Sequence, residues 1–496
     1  MYGNDLNFMA DTAKDKGGAA PVDTVAALMD VQVAEEGLLI ACTNFDMLTT
    51  ACENIEAGVV LADAIAAKGD ENTAVAVAIE SLRQNLKVLG QEHIAGMVVT
   101  AGTESITSAN EGISDMLGKA WAKTKEIAMK IWNWIVDLVS KVGNFLASLI
   151  GKGNSTYERM VKLVKKHKDA KTTNLDGAEF SESVQKSLNT KFKILATEKD
   201  ISSSTISESI TEMTSLLEVL DSAKSDILKA ELPFNNIENM MKYAEAYTTA
   251  NGGDKKNADA IATVVKSIIS NTTTFSKDFK LDAVAQKKFG SNKVLDILDA
   301  AEAAVGDVEG GVVSVLGASF SGIRCIAVCT TSDATDAMDE FDKLSGDDKK
   351  VSKIFSLAGK ILNNVKVVEF TVSPEESDYE DNAKDIMPLE FSEIESLKDD
   401  MKDADKKSAK IVKSFGDKIA KEKKEVEKLL KTTMKNIDKS AAPISDKIKS
   451  ILSKVVNNNT KIAKAKASAV TAMAKDLVAS PVYDYCAESA KLYKKD

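Results

Sequence analysis

A mainly α-helical fold, a multi-helix bundle built around one long amphipathic helix, is what this chain of 496 residues predicts. Three observations lead there. Apolar residues recur every three or four positions from Ile113 to Leu149, over about ten helical turns. Six prolines and 5% aromatic residues leave long stretches without helix breakers and favour small core side chains over a β-sandwich. Lysine interleaves with aspartate and glutamate through the C-terminal residues 391–496, the pattern of solvated helix faces.

Residues 1–104 form an acidic, Ala/Glu-rich leader. They hold five basic and sixteen acidic residues, so they carry the whole net charge of −11, and the rest of the chain is formally neutral. Such asymmetry suggests a separable segment. After a glycine-containing start over residues 1–20, Pro21 opens an amphipathic stretch through Val22, Val25, Leu28, Met29 and Val33. Glycines at 37, 58, 69, 90 and 96 then predict short helical pieces in a loosely packed or partly disordered leader.

Residues 105–153 hold the strongest periodicity and all three tryptophans, Trp121, Trp132 and Trp134. Lys119, Lys123 and Lys130 lie on the other side, and Gly151 and Gly153 end the helix. Two readings are open: a core helix, or an interfacial helix with tryptophans on the apolar side and a cationic face.

Residues 154–373 read as a helical body with polar connectors. Helical runs fall at Ile206 to Leu232 (stopped by Pro233), Ala258 to Ile269, Ser332 to Leu344 and Val351 to Leu362. The glycines from 306 to 322 lack the Gly-Lys-Ser/Thr ending of a phosphate loop and read as turns or tight helix contacts. Gly311 to Thr330 is the nearest approach to a membrane span, but Arg324 and several serines interrupt it. Val365 to Val372 is partly alternating and β-branched, the best strand candidate. An acidic loop occupies 374–390, and lysine-rich helices fill 391–496, broken near Pro443 and Pro481. Lys421 and Glu425 stand one turn apart there. This charge pattern suits a solvated helix or coiled coil better than a nucleic-acid surface.

The residue inventory argues against catalysis and against a cofactor. The two histidines, His93 and His167, lie in different segments, which leaves no histidine-ligated metal site or Ser-His centre to assemble. Five cysteines follow no paired framework and suit a reducing compartment. Cys325 and Cys329, four apart, would share a helical face as small buried hydrophobes. No secretory signal is visible at the N-terminus.

One motif stands out in residues 1–111. Of nine glutamates there, seven follow Ala or Gly by two positions: Glu36, Glu53, Glu71, Glu80, Glu92, Glu104 and Glu111. The acidic leader, these small-x-Glu sites and the stretch from Trp121 to Trp134 together resemble the internal head proteins of large tailed bacteriophages. The resemblance covers residues 30–155. It implies a non-enzymatic virion protein inside the capsid, made in the host cytoplasm, whose leader is a propeptide removed by a prohead protease that cuts after small-x-Glu. It also implies other capsid and core proteins as partners, and nonspecific contact with packaged DNA. Carried onto this chain, the candidate cuts are Gly102-Thr103-Glu104 before Ser105, Ala78-Ile79-Glu80 before Ser81, and Ala109-Asn110-Glu111. The multiplicity of sites leaves the boundary of the mature chain open. Two other classes compete: a membrane-active, pore-forming-like helical protein that uses the tryptophan helix on a membrane surface, and a cytoplasmic coiled-coil scaffold built on residues 391–496.

Overall fold

The computed structural model of the protein describes residues 22–66, 106–168, 178–198, 201–221, 280–281, 297–306, 310–344, 351–379, 386–437 and 442–493, with single positions at 73, 76, 77, 80 and 175. The helical run expected at 258–269 and the start at 1–20 lie outside these residues.

The first element corrects the expectation of short pieces. Val22–Ala66 is one helix of 45 residues, α1. It continues through Gly37 and Gly58, although each glycine costs about 1 kcal/mol relative to alanine. Packing is what carries it. Val31, Ala34, Leu38, Ala41, Phe45 and Leu48 are all buried, at alternating spacings of three and four. That is a heptad seam, with the first residue of each pair at position a and the second at d.

The seam rests on α2, Ile106–Gly151, the predicted tryptophan helix. In α2 three positions per heptad are buried: the lines Ala128/Ile135/Val142/Leu149, Ile131/Leu138/Phe145 and Trp132/Val139/Leu146. A helix with so wide an apolar face needs neighbours on several sides. α2 has them in α1, in α11 (Phe391–Ile437) and in α12 (Ala442–Val478). The core helix, of the two readings, is the arrangement seen.

α2 stops where glycine allows it. Gly153 takes φ +72, and the Asn154 amide donates to the Leu149 carbonyl at 2.9 Å. Ser155 then caps α3, Thr156–His167, by accepting from the Glu158 amide. Three further helices follow: α4 (Glu182–Lys191), α5 (Lys193–Glu198) and α6 (Ser203–Asp221).

A small sheet is set among these helices. Strand β1 is the pair Lys280–Leu281, followed by α7 (Ile297–Val305), β2 (Gly310–Ala318) and β3 (Ile323–Thr330). Then come α8 (Ser332–Asp342), α9 (Val351–Asn363) and β4 (Val365–Val372). The order is β1-β2-β3-β4, antiparallel across β2, β3 and β4, with β1 parallel to β2. The strand expected at 365–372 is therefore present. The apolar run 311–330 lies in the β2–β3 hairpin, and its glycines take both roles the sequence offered: Gly322 closes the turn, its carbonyl accepting from the Ser319 amide, and Gly317 makes a tight contact with Met473 of α12. Gly311 faces the backbone of the next strand so closely that a Cβ would meet the Val328 carbonyl oxygen at 2.7 Å.

Helices cover both faces of the sheet. Lys366 donates to the Val305 carbonyl of α7, and Glu369 pairs with Lys464 of α12 at 3.1 Å. Lys366 and Glu369 are an odd number of residues apart and so lie on opposite faces. This explains why β3 is apolar almost throughout rather than alternating. Cys325 and Cys329 correct the helical expectation in the same way: four residues apart in a strand, they share a face and are fully buried. Desolvation raises both thiols to about 12, with Lys366 partly opposing it at Cys329.

The chain closes with the one-turn α10 (Glu376–Tyr379), the long α11 and α12, and α13 (Val482–Lys491). The last hundred residues thus break near Pro443 and Pro481, as the sequence predicts.

Candidate functional site

The region that unites the sequence motifs is the contact between α1 and α2. Gly37 lies against the indole of Trp134, and a Cβ built there would fall 2.5 Å from the ring. The glycine expected to break the leader is instead the place where the leader admits a tryptophan. Trp132 is 1% exposed in the core, whereas Trp134 is half-buried. Trp121, Lys119 and Lys123 belong to α2, but their side chains fall outside the described set. Lys130 is exposed and pairs with Glu126 at 2.7 Å, one turn away on its own helix. By length and composition the segment Glu126–His167 could cross a membrane. In the folded chain Ile131, Trp132, Ile135, Leu138, Val139 and Val142 of this segment are buried, and α1, α11 and α12 pack on α2.

Electrostatics add one link between α1 and the C-terminal helices. Glu35 meets Lys475 of α12 at 3.5 Å, both partly buried. Over its 45 residues α1 holds eight carboxylates and no basic residue.

The candidate cleavage residues fall into three groups. Gly102, Glu104, Ser105, Ala78 and Ser81 lie outside the described residues. Glu80 is a single described position, helical and exposed. Ala109 and Glu111 lie inside the first turns of α2. The small-x-Glu sites at Glu36 and Glu53 fall within α1, and their small residues, Ala34 and Ala51, are 0% and 1% exposed in the contact. A protease must draw its substrate into an extended strand, so these two are shielded while α1 is folded.

Sequence reasoning missed a second locus, at the far end of α2. There α13 clamps onto α3. Thr156 donates to the Ser480 carbonyl and accepts from the Ser480 amide at 2.7 Å. Asp484 pairs with Lys191 at 2.6 Å and with Arg159 at 3.9 Å, and the Arg159 guanidinium lies 3.5 Å from the centre of the Tyr483 ring. Tyr485 donates to the Met387 carbonyl at 2.6 Å, and Tyr493 to that of Leu389 at 2.8 Å. The signal that was available is Ser155-x-x-Glu158, a capping box directly after the glycine stop. Nearby on α11, Asp405 is 3% exposed. Burial pushes its carboxyl up to about 7, Ser155 pulls the other way, and the Glu158 carboxylate adds to the rise.

Some lysines of α11 form ion pairs within the fold. Lys407 meets Glu218 at 3.0 Å, Lys418 meets Asp221 at 2.8 Å, and Lys421 meets Glu425 at 3.7 Å. His167 lies edge-on to Tyr493 at 5.9 Å between ring centres, and His93 is outside the described residues. Among the described residues no group of three or more His, Cys, Asp or Glu is placed to hold a metal ion.

Comparison with known proteins places these features. Residues 46–181 match the family model of the phiKZ-like phage internal head proteins. The matched segment runs from the middle of α1 through α2 and α3, and contains Glu80, Glu104 and Glu111. No curated protein and no solved structure matches the chain. Residues 46–181, which hold the tryptophan helix and the motifs around it, are thus similar to the phage internal head proteins.

Proposed function

We propose that the chain is an internal head protein, a structural component of the phage capsid interior made in the host cytoplasm, that it is matured by proteolysis with residues 1–104 as its propeptide, and that it has no enzymatic role. The observation that carries the reading is the run of small-x-Glu sites, seven of nine glutamates in residues 1–111. Their positions set Glu71, Glu80, Glu92 and Glu104, which fall between α1 and α2 in sequence, apart from the rest, and Glu104 is the last of them before α2. Glu36 and Glu53 are inside α1 and Glu111 is inside α2, whereas Gly102-Thr103-Glu104 lies outside both helices, two residues before α2 begins at Ile106. A cut after Glu104 separates the helices without breaking either.

Charge gives the cut a purpose. The leader holds the whole net charge of −11. Carboxylates in a closed shell raise the cost of confining DNA phosphates, and removing them leaves a formally neutral body beside the packaged genome. The prohead protease is then one partner, other core proteins are a second, and DNA is a nonspecific third.

Mass spectrometry of the protein from mature capsids tests this. The expected result is a dominant non-tryptic N-terminus at Ser105. Intact chains beginning at Met1 in mature capsids would overturn it. A start at Ser81 or Gly112 would keep the propeptide and move its boundary.

A further inference from the structure

The outward side of α1 carries a second line of apolar residues. Among the described residues, six of the eight large exposed hydrophobic side chains belong to this one helix. Val33, Ile40 and Met47 follow at seven-residue intervals, 54%, 62% and 51% exposed. Exposed Ala26 precedes them in the same repeat, and Leu61 continues it two heptads further on, with Asn54 between. Met29, 54% exposed, widens the line.

The spacing matters more than the count. The buried seam of α1 also repeats every seven residues, so the angle between the two lines stays constant along the helix. Val33, Ile40 and Met47 all occupy heptad position c and form a stripe that keeps a fixed angle to the buried seam from Val31 to Leu48. β-Branched residues in the repeat and an asparagine at one step are features of a helix-pairing edge. Scattered exposed apolar residues need no explanation, but a periodic stripe does.

Charge selects the occupant. Two α1 helices laid together would set eight carboxylates against eight with no cation between them, which disfavours a second copy of the same helix. Asp30 and Glu36, both exposed, flank the stripe. We propose that the stripe formed by Ala26, Met29, Val33, Ile40, Met47 and Leu61 is a docking edge for a basic amphipathic helix of another chain, which lays its apolar side on the stripe and its lysines against the acidic flanks. The proposal rests on α1 being folded on α2 and not on its later removal, so its failure would leave the propeptide reading standing.

The test uses the purified full chain and two synthetic helical peptides with leucine at a and d. One carries lysine and the other glutamate at e and g. The lysine peptide is expected to bind and the glutamate peptide is not. Val33→Glu with Ile40→Glu should weaken binding at least about tenfold, while Leu39→Glu, off the stripe, leaves it unchanged. Circular dichroism and melting confirm that the variants stay folded. The sign is decisive, because a merely electrostatic attraction would grow when two carboxylates are added. Unchanged or tighter binding by the double variant, or equal binding of both peptides, overturns the proposal. Self-association of the parent chain that the double variant abolishes would assign the stripe to a second copy and overturn it as well.

Discussion

Helices α1 and α11 are nearly equal in length, 45 and 47 residues, and both lie along α2, yet they meet water with opposite chemistry. Every exposed residue of α11 in the described set is polar, among them Lys402, Lys406, Lys410 and Lys413, and two of its lysines, Lys407 and Lys418, are paired across to α6. α1 exposes methionine, valine and isoleucine and has no lysine or arginine at all. Their connections differ too. α11 packs on α2, α3, α6, α12 and α13, whereas α1 packs on α2 and, more lightly, on α12. α11 is a finished part of the body. α1 is attached along one edge, chiefly to α2.

The sharpest way to break this comparison is a matched pair of truncations. Phe45→Ala in α1 and Phe415→Ala in α11 each remove a buried ring, and each should cost about 3–5 kcal/mol. The consequences should differ. Phe45→Ala is expected to release α1 alone, seen as protection from amide hydrogen exchange lost over residues 22–66 while α11 and α12 stay protected. Phe415→Ala should lower the stability of the whole body. Equal, global loss of protection in both variants would show that α1 is as integral as α11.

A smaller effect is expected at Gly37. Valine there must displace the Trp134 indole, at a cost of about 1–3 kcal/mol in denaturant unfolding. Trp134→Ala in the same chain should recover part of the loss. If the two losses simply add, glycine and tryptophan are not coupled.

Asp405 gives the α11 side its own signature. Its folded carboxyl lies at about 7, above the unfolded value of about 3.9. The folded state therefore holds the proton more tightly, and the contribution to stability is full below about pH 4 and declines as pH rises to about 7. Asp405→Asn should remove that decline and stabilise the chain at pH 8, on the order of 1–2 kcal/mol. A variant with the parental pH profile between 4 and 7 would contradict this. The smallest change belongs to Glu425→Gln, which loses an exposed one-turn pair with Lys421 and should cost no more than about 0.5 kcal/mol, less in high salt.

The sequence was most legible where one period ran unbroken. The apolar spacing of α2, the glycine stop after it, the strand at Val365–Val372 and the proline breaks in the C-terminal helices can all be read from local pattern. It misled where a residue's meaning depended on a distant partner. Gly37 reads as a break until Trp134, nearly a hundred residues on, is seen to fill the space above it. Gly311 reads as a turn or helix contact, although it lies under the Val328 carbonyl of the next strand. β3 escaped notice as a strand because helices on both its faces erase the alternation that marks half-buried strands. Of the candidate site, the tryptophans and the small-x-Glu spacing were visible. That two of those glutamates sit in a packed helix was not, because alanine serves a helix seam and a small-x-Glu site equally well.

The indole over Gly37 also settles an ambiguity that heptad packing leaves open. A seam that repeats every seven residues can slide by one repeat and still place apolar residues at a and d, so such helices are prone to misalign. In α1 the positions one heptad either side of Gly37 are Asp30 and Asn44. A slide in either direction would press a polar side chain into the ring of Trp134. One missing side chain therefore works as a notch in an otherwise uniform ruler, and it is what makes α1 and α2 meet in a single alignment.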